Sequence, residues 1–118
     1  MRYKVGVRCS FSAAHQISDY GGKCKNLHGH NFVVEAIVSG DRLSENNILY
    51  DVKELKEKLE TVLARYDHMF LNAVLGERNV TMEYVAMKVY EELKRLGVEV
   101  SSVRVYESPD SWVEYEGV

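Results

Sequence analysis

Two stretches of alternating apolar and polar residues constrain this chain more than any other feature in it. Tyr3, Val5, Val7, Cys9 and Phe11 occupy every second position, with Lys4, Arg8 and Ser10 between them. The pattern returns over residues 28–39, where Phe32, Val34, Ala36 and Val38 share one side. Successive side chains of a strand point to opposite faces, so a period of two predicts two half-buried strands. A polar stretch from Gln16 to Leu27, containing Gly21-Gly22, reads as a long loop between them. Ser39-Gly40-Asp41 breaks the second strand, and Ile48-Leu49-Tyr50 reads as a short extended piece.

The period then becomes helical. Asp51 with Glu54 has the form of a capping box, in which each side chain bonds an orphan backbone N–H. Val52, Leu55, Leu59, Val62, Leu63 and Tyr66 follow as one apolar stripe. A second helix is predicted from Met82 to Leu96, with Thr81 as N-cap and Gly97 as its stop. Its stripe is Met82, Val85, Ala86, Val89, Leu93 and Leu96, and Met69, Met82 and Met87 read as core filler. Residues 100–107 and 111–115 read as strands around a Ser108-Pro109-Asp110 turn. The order β-β-α-α-β-β predicts an α+β fold, an antiparallel sheet with two helices on one face. A sheet this small has open edges, which predicts pairing between chains.

A length of 118 residues, without repeats or a Pro/Gly/Ser-rich linker, predicts a single domain over 1–118. The apolar stretches are short and interrupted by charges, so no membrane span is expected. The first eight residues lack the apolar core of a signal peptide, which predicts a cytoplasmic protein. A net charge of −3 without long Lys/Arg runs argues against a nucleic-acid groove. Two cysteines, Cys9 and Cys24, cannot make a disulfide framework and are expected to remain thiols.

Chemistry concentrates in Cys24-Lys25-Asn26-Leu27-His28-Gly29-His30. His28 and His30 fall on one face of a strand, and His15 ends the neighbouring strand if the two pair as a hairpin. Three imidazoles would then converge, and three nitrogens at about 2.0–2.1 Å with an open fourth position describe a catalytic zinc site. Ordinary strand histidines without a metal, or a structural zinc closed by the Cys24 thiolate, are the alternatives. Off the metal, Cys24 beside a dication would favour its thiolate and could act as a general base, or stand idle as a surface thiol. Asp67 can orient His68 as in a proton relay; the alternative is that His68 interacts with the dipole of a helix C-terminus. Glu107 ends an alternating strand, where a carboxylate could accept two N–H groups from a guanidine-like edge or remain solvated. Glu83 suits the first turn of a helix.

Together, Phe11-Ser12-Ala13-Ala14-His15, Cys24-x-x-x-His28-Gly29-His30, Asp67-His68, Thr81-x-Glu83 and Val103-x-Val105-x-Glu107 resemble the 6-pyruvoyl-tetrahydropterin synthase superfamily. The matches span residues 5 to 115 in the family's order. The three-residue spacer between Cys24 and His28 is most similar to the 6-carboxy-tetrahydropterin synthases of the 7-deazaguanine (queuosine and archaeosine) pathway. The eukaryotic tetrahydrobiopterin enzymes carry a longer spacer. A further subgroup uses a loop glutamate as base, and no glutamate lies between Tyr20 and His28.

The resemblance implies a tunnelling fold, whose units close into a barrel and stack as a homohexamer, a dimer of trimers with sites at subunit interfaces. It implies that His15, His28 and His30 bind zinc and that Cys24 is the general base. Asp67 and His68 would complete the relay, Glu107 would anchor the pterin and join the relay, and Thr81 and Glu83 would help form the pocket. The implied substrate is 7,8-dihydroneopterin triphosphate. The implied products are 6-carboxytetrahydropterin, acetaldehyde and triphosphate, or in the alternative a 6-pyruvoyl product without carbon–carbon cleavage. A zinc-stabilised pterin-binding module without catalysis is the third reading. The chain departs from the family pattern at Val52, Val80 and Ser108, where phenylalanine, proline and threonine are usual.

Overall fold

The computed structural model describes residues 2–17 and 28–117, and of His28 the backbone alone. Both alternating stretches form strands, longer than their patterns: β1 is Tyr3–His15 and β2 is His28–Gly40. They pair antiparallel in a register that sets Phe11 opposite Phe32, Ala13 opposite His30 and His15 opposite His28. The hairpin pairing expected of these two strands is therefore present, with the polar stretch between them.

Helix α1 spans Val52–Leu63 and α3 spans Met82–Arg95. Asp51 caps α1 by accepting from the N–H groups of Lys53 and Glu54. The expected reciprocal half of the box is replaced by an ion pair, since Glu54 reaches Lys58 at 3.0 Å. Thr81 caps α3 by accepting from the Tyr84 N–H. Strands β4 (Ser102–Ser108) and β5 (Ser111–Glu116) follow the turn signals.

Two elements were not foreseen. Met69–Phe70 forms a short strand, β3, parallel to β1 at Ala13 and Ala14. Leu71–Leu75 forms one helical turn, α2, ended by Gly76 at φ 62. Two residues of strand and five of helix are too short to show a period. The sheet order is β3-β1-β2-β4-β5.

The helices cover one face: α1 packs on β1, and α3 on β4 and β5. That face supplies the core, with Phe11, Phe32, Val34, Ala36, Val103 and Val105 meeting Leu55, Leu59, Val62, Val85, Val89 and Leu93. Four apolar positions depart from expectation, the first being Tyr3, which is exposed at the start of β1. Val52 and Leu96 are exposed because they occupy the first turn and the C-cap, beyond the sheet they were meant to face. Met69 is also exposed, because it belongs to the edge strand β3.

The opposite face carries a ladder of charges. Arg8 and Arg104 both stand opposite Glu35 in the register, and Arg104 also stands opposite Glu114. Arg8 reaches Glu35 at 2.6 Å, and Arg104 reaches Glu114 at 2.8 Å while stacking 4.2 Å above the Trp112 ring. Opposite charges directly across a sheet are favourable pairs, so this face is polar by construction.

Candidate metal centre

The alternation that builds the core also builds the site. His15 follows Phe11 and Ala13 on the inward face of β1, and His30 precedes Phe32 on the inward face of β2. At the end of the sheet this row changes from hydrocarbon to imidazole. The His15 and His30 rings lie 5.3 Å apart, and both rest edge-on against Phe32, at 5.3 and 5.8 Å.

His15 is 2% exposed. Its Nδ1 lies 2.8 Å from the carbonyl oxygen of Val80. A carbonyl only accepts, so Nδ1 carries the proton and Nε2 is the lone-pair nitrogen. This is the arrangement typical of a metal-ligating histidine.

Glu107 comes from the end of β4, with Oε1 2.8 Å from Nε2 of His30. Ligand atoms of His15, His30 and Glu107 all lie within 4.8 Å of one another. Two imidazoles and a carboxylate are a donor set that suits zinc and other first-row divalent ions. The predicted trio was His15, His28 and His30. His28 stands opposite His15 in the ladder, as expected, and its side chain lies outside the described residues. Cys24 lies outside them too.

Asp67 and His68 come after the end of α1 rather than in it. The helix stops at Leu63, and Asp67 reaches β1, where Oδ1 accepts the Ser12 N–H at 2.9 Å. The His68 N–H donates back to the Ser12 carbonyl at 2.6 Å. His68 takes φ 60, a left-handed backbone uncommon for a residue with a side chain. Its Nδ1 lies 3.2 Å from Asp67 Oδ1, so the two are paired as expected. The Ser12 N–H, and then the His68 imidazole, hold the Asp67 carboxyl below the usual range. The exposed His68 imidazole and His30 line one groove of about 530 Å³ with Gly29, Asn31 and Phe70. A second hollow of about 510 Å³ is lined by Asn31, Tyr106, Glu107 and Ser108.

Thr81 uses its hydroxyl as a helix cap, and Glu83 is exposed in the first turn of α3. Sequence reasoning passed over Val80 as a mere departure from a pattern, yet its carbonyl orients His15. Backbone groups leave no trace in residue type, so no sequence signal could have found it.

An α+β sheet carrying a histidine–carboxylate cluster at one end defines a small domain with a set of side chains that could hold a metal ion. Residues 4–118 match the model of the 6-pyruvoyl tetrahydropterin synthase family, and the chain belongs to that family. It is 39% identical over 110 residues to an Archaeoglobus fulgidus protein provisionally named 6-carboxy-5,6,7,8-tetrahydropterin synthase, covering 93% of this chain and 92% of the relative. It is 38% identical over 112 residues to the 6-carboxy-5,6,7,8-tetrahydropterin synthase of Synechocystis, covering 90% and 87%. The solved 6-pyruvoyl tetrahydropterin synthase of Caenorhabditis elegans superposes with a TM-score of 0.88 at 28% identity, covering 98% and 96%. The tunnelling fold expected from the motifs is therefore the fold of this chain. Among the described residues no helix is long and apolar enough to cross a membrane.

Proposed function

We propose that this protein is a cytoplasmic, zinc-dependent 6-carboxy-5,6,7,8-tetrahydropterin synthase. It converts 7,8-dihydroneopterin triphosphate to 6-carboxytetrahydropterin, acetaldehyde and triphosphate, for 7-deazaguanine biosynthesis. The observation that carries this reading is the His15–His30–Glu107 cluster in a chain whose similar relatives bear that name. The three-residue spacer from Cys24 to His28 points the same way.

His15, His28 and His30 would hold the zinc, which when bound supplies Lewis acidity toward the hydroxyl oxygens of the substrate side chain. The remaining roles belong to the chain's own groups. Cys24, as thiolate, takes a proton from the substrate side chain. His68, paired with an ionised Asp67, carries a proton in the groove it shares with His30. Glu107 sits between that cluster and the hollow lined by Tyr106 and Ser108, where its carboxylate accepts the pterin amino and ring N–H groups. Thr81 and Glu83 would support the pocket from the start of α3. Strand β3 covers β1 at Ala13 and Ala14, and Asp67 and His68 take the Ser12 backbone groups, so residues 3–11 and strand β5 are edges suited to join copies. The homohexamer that the family resemblance implies, a dimer of trimers, is the assembly proposed, with Asp67 and His68 serving a site on their own or a neighbouring subunit.

The test is incubation of zinc-loaded protein with 7,8-dihydroneopterin triphosphate, followed by mass spectrometry and an acetaldehyde assay. Appearance of 6-carboxytetrahydropterin with acetaldehyde supports the reading. Triphosphate release with a 6-pyruvoyl product and no acetaldehyde would transfer it to the 6-pyruvoyl synthase activity, the reading favoured by the C. elegans superposition. Tight pterin binding without turnover would leave a binding module. Light scattering at the mass of six chains supports the assembly, and a monomer would overturn it.

A further inference from the structure

Asn72, in the single turn α2, makes three hydrogen bonds with one carboxamide. Its Oδ1 accepts the Gln16 N–H at 2.9 Å. Its Nδ2 donates to the Gln16 carbonyl and to the Arg78 carbonyl, each at 2.8 Å. One acceptor and two donors in that arrangement require an amide, and the two carbonyls fix which end is nitrogen. The preceding residue, Leu71, is fully buried.

The two segments it joins are those that make the His15–Val80 bond. Gln16 directly follows His15, and Arg78 lies two residues before Val80. Between the clamp and the histidine the segments also pair directly, through an Ile17–Asn79 bridge and a Val80 N–H to Gln16 carbonyl contact at 3.4 Å. That last contact is long, and each of the three Asn72 bonds is shorter.

We infer that Asn72 is a positioning residue for the metal centre: its carboxamide clamps residues 78–80 against the end of β1, so that the Val80 carbonyl holds His15 in the tautomer that presents Nε2. The inference rests on the proposal that His15 is a metal ligand. The Val80 carbonyl is the outer-shell partner of His15, and Asn72 acts through it; loss of such partners commonly costs about ten- to hundredfold in metal affinity. Asn72→Asp keeps the shape but replaces both donors by an oxygen facing two carbonyls. Asn72→Ala removes the clamp without adding charge.

Both variants are to be compared with the wild-type chain in two measurements. One is zinc affinity, by competition with a chromophoric chelator. The other is the tautomer of His15 in metal-free protein, by long-range ¹H–¹⁵N correlation. The expected result is folded variants that bind zinc about tenfold or more weakly, with His15 no longer confined to the Nδ1–H form. Folded variants with wild-type affinity and an unchanged His15 tautomer would overturn the inference. Failure of both variants to fold would also overturn it, by assigning Asn72 to global stability. If wild-type protein itself does not take zinc, the metal reading fails, and the His15 tautomer alone decides the role of Asn72.

Discussion

Glu107 Oε1 stands 2.8 Å from Nε2 of His30, a contact that joins the ends of β4 and β2 across the candidate metal centre. The carboxylate thus touches the cluster on one side and a hollow on the other. Its two possible uses, metal ligand and anchor for a pterin edge, are separable. We expect Glu107→Gln to retain zinc and to lose pterin affinity. A hydrogen bond to a charged group is worth about 1.5–3 kcal/mol, so the pterin should bind roughly ten- to hundredfold more weakly. Calorimetric titration with a pterin analogue, beside metal analysis of the same preparation, checks this. Loss of zinc with pterin binding intact would make Glu107 a ligand instead.

Val80 stands where the family commonly has proline, and the geometry explains the exchange. The group that orients His15 is the carbonyl, which proline keeps. The N–H that proline would remove makes only the 3.4 Å contact to Gln16. Val80→Pro should therefore leave zinc affinity unchanged within error. A clear weakening would show that the Val80 N–H, and not the carbonyl alone, holds this segment.

Asp67 ties pH to stability in a defined direction. Its carboxyl is held below the usual range by the Ser12 N–H first and the His68 imidazole next. A depressed folded pKa contributes stability above the ordinary carboxylate pKa, and this is lost as pH falls through the depressed value. Asp67→Asn should lower the melting temperature at neutral pH. The gap between variant and wild type should close as both are acidified. Melting curves between neutral pH and about pH 3 test this. A gap that widens on acidification would contradict the assignment.

Glu92 of α3 is 8% exposed and accepts from the Tyr66 hydroxyl and from Arg65. Burial and that carboxylate together push the Tyr66 hydroxyl well above its usual pKa, so it stays a donor at all ordinary pH. Tyr66→Phe keeps the packing and leaves a buried carboxylate short of one donor. We expect a loss of about 1–3 kcal/mol, read from urea denaturation at neutral pH. A change too small to measure would mean that Arg65 alone satisfies Glu92.

The sequence by itself determined the strands, the two long helices and the core. Period-two stretches such as Phe32–Val38 and the stripe from Leu55 to Leu63 state locally which face must leave water. It also brought His15 to His28, because alternation fixes the face and the shared end of two strands fixes the neighbour. Tertiary structure alone decided the rest. Met69–Phe70 and Leu71–Leu75 are too short to carry a period, and β3 exists because β1 offers an edge. The approach of Glu107 to His30 depends on β4 lying beside β2, a pairing far apart in the chain. The orientation of His15 is set by a backbone carbonyl sixty-five residues away, in a segment whose Arg78 carbonyl accepts from the Asn72 carboxamide. Local patterning reports what a residue must hide, whereas the partner of a hydrogen bond is known only when distant segments meet.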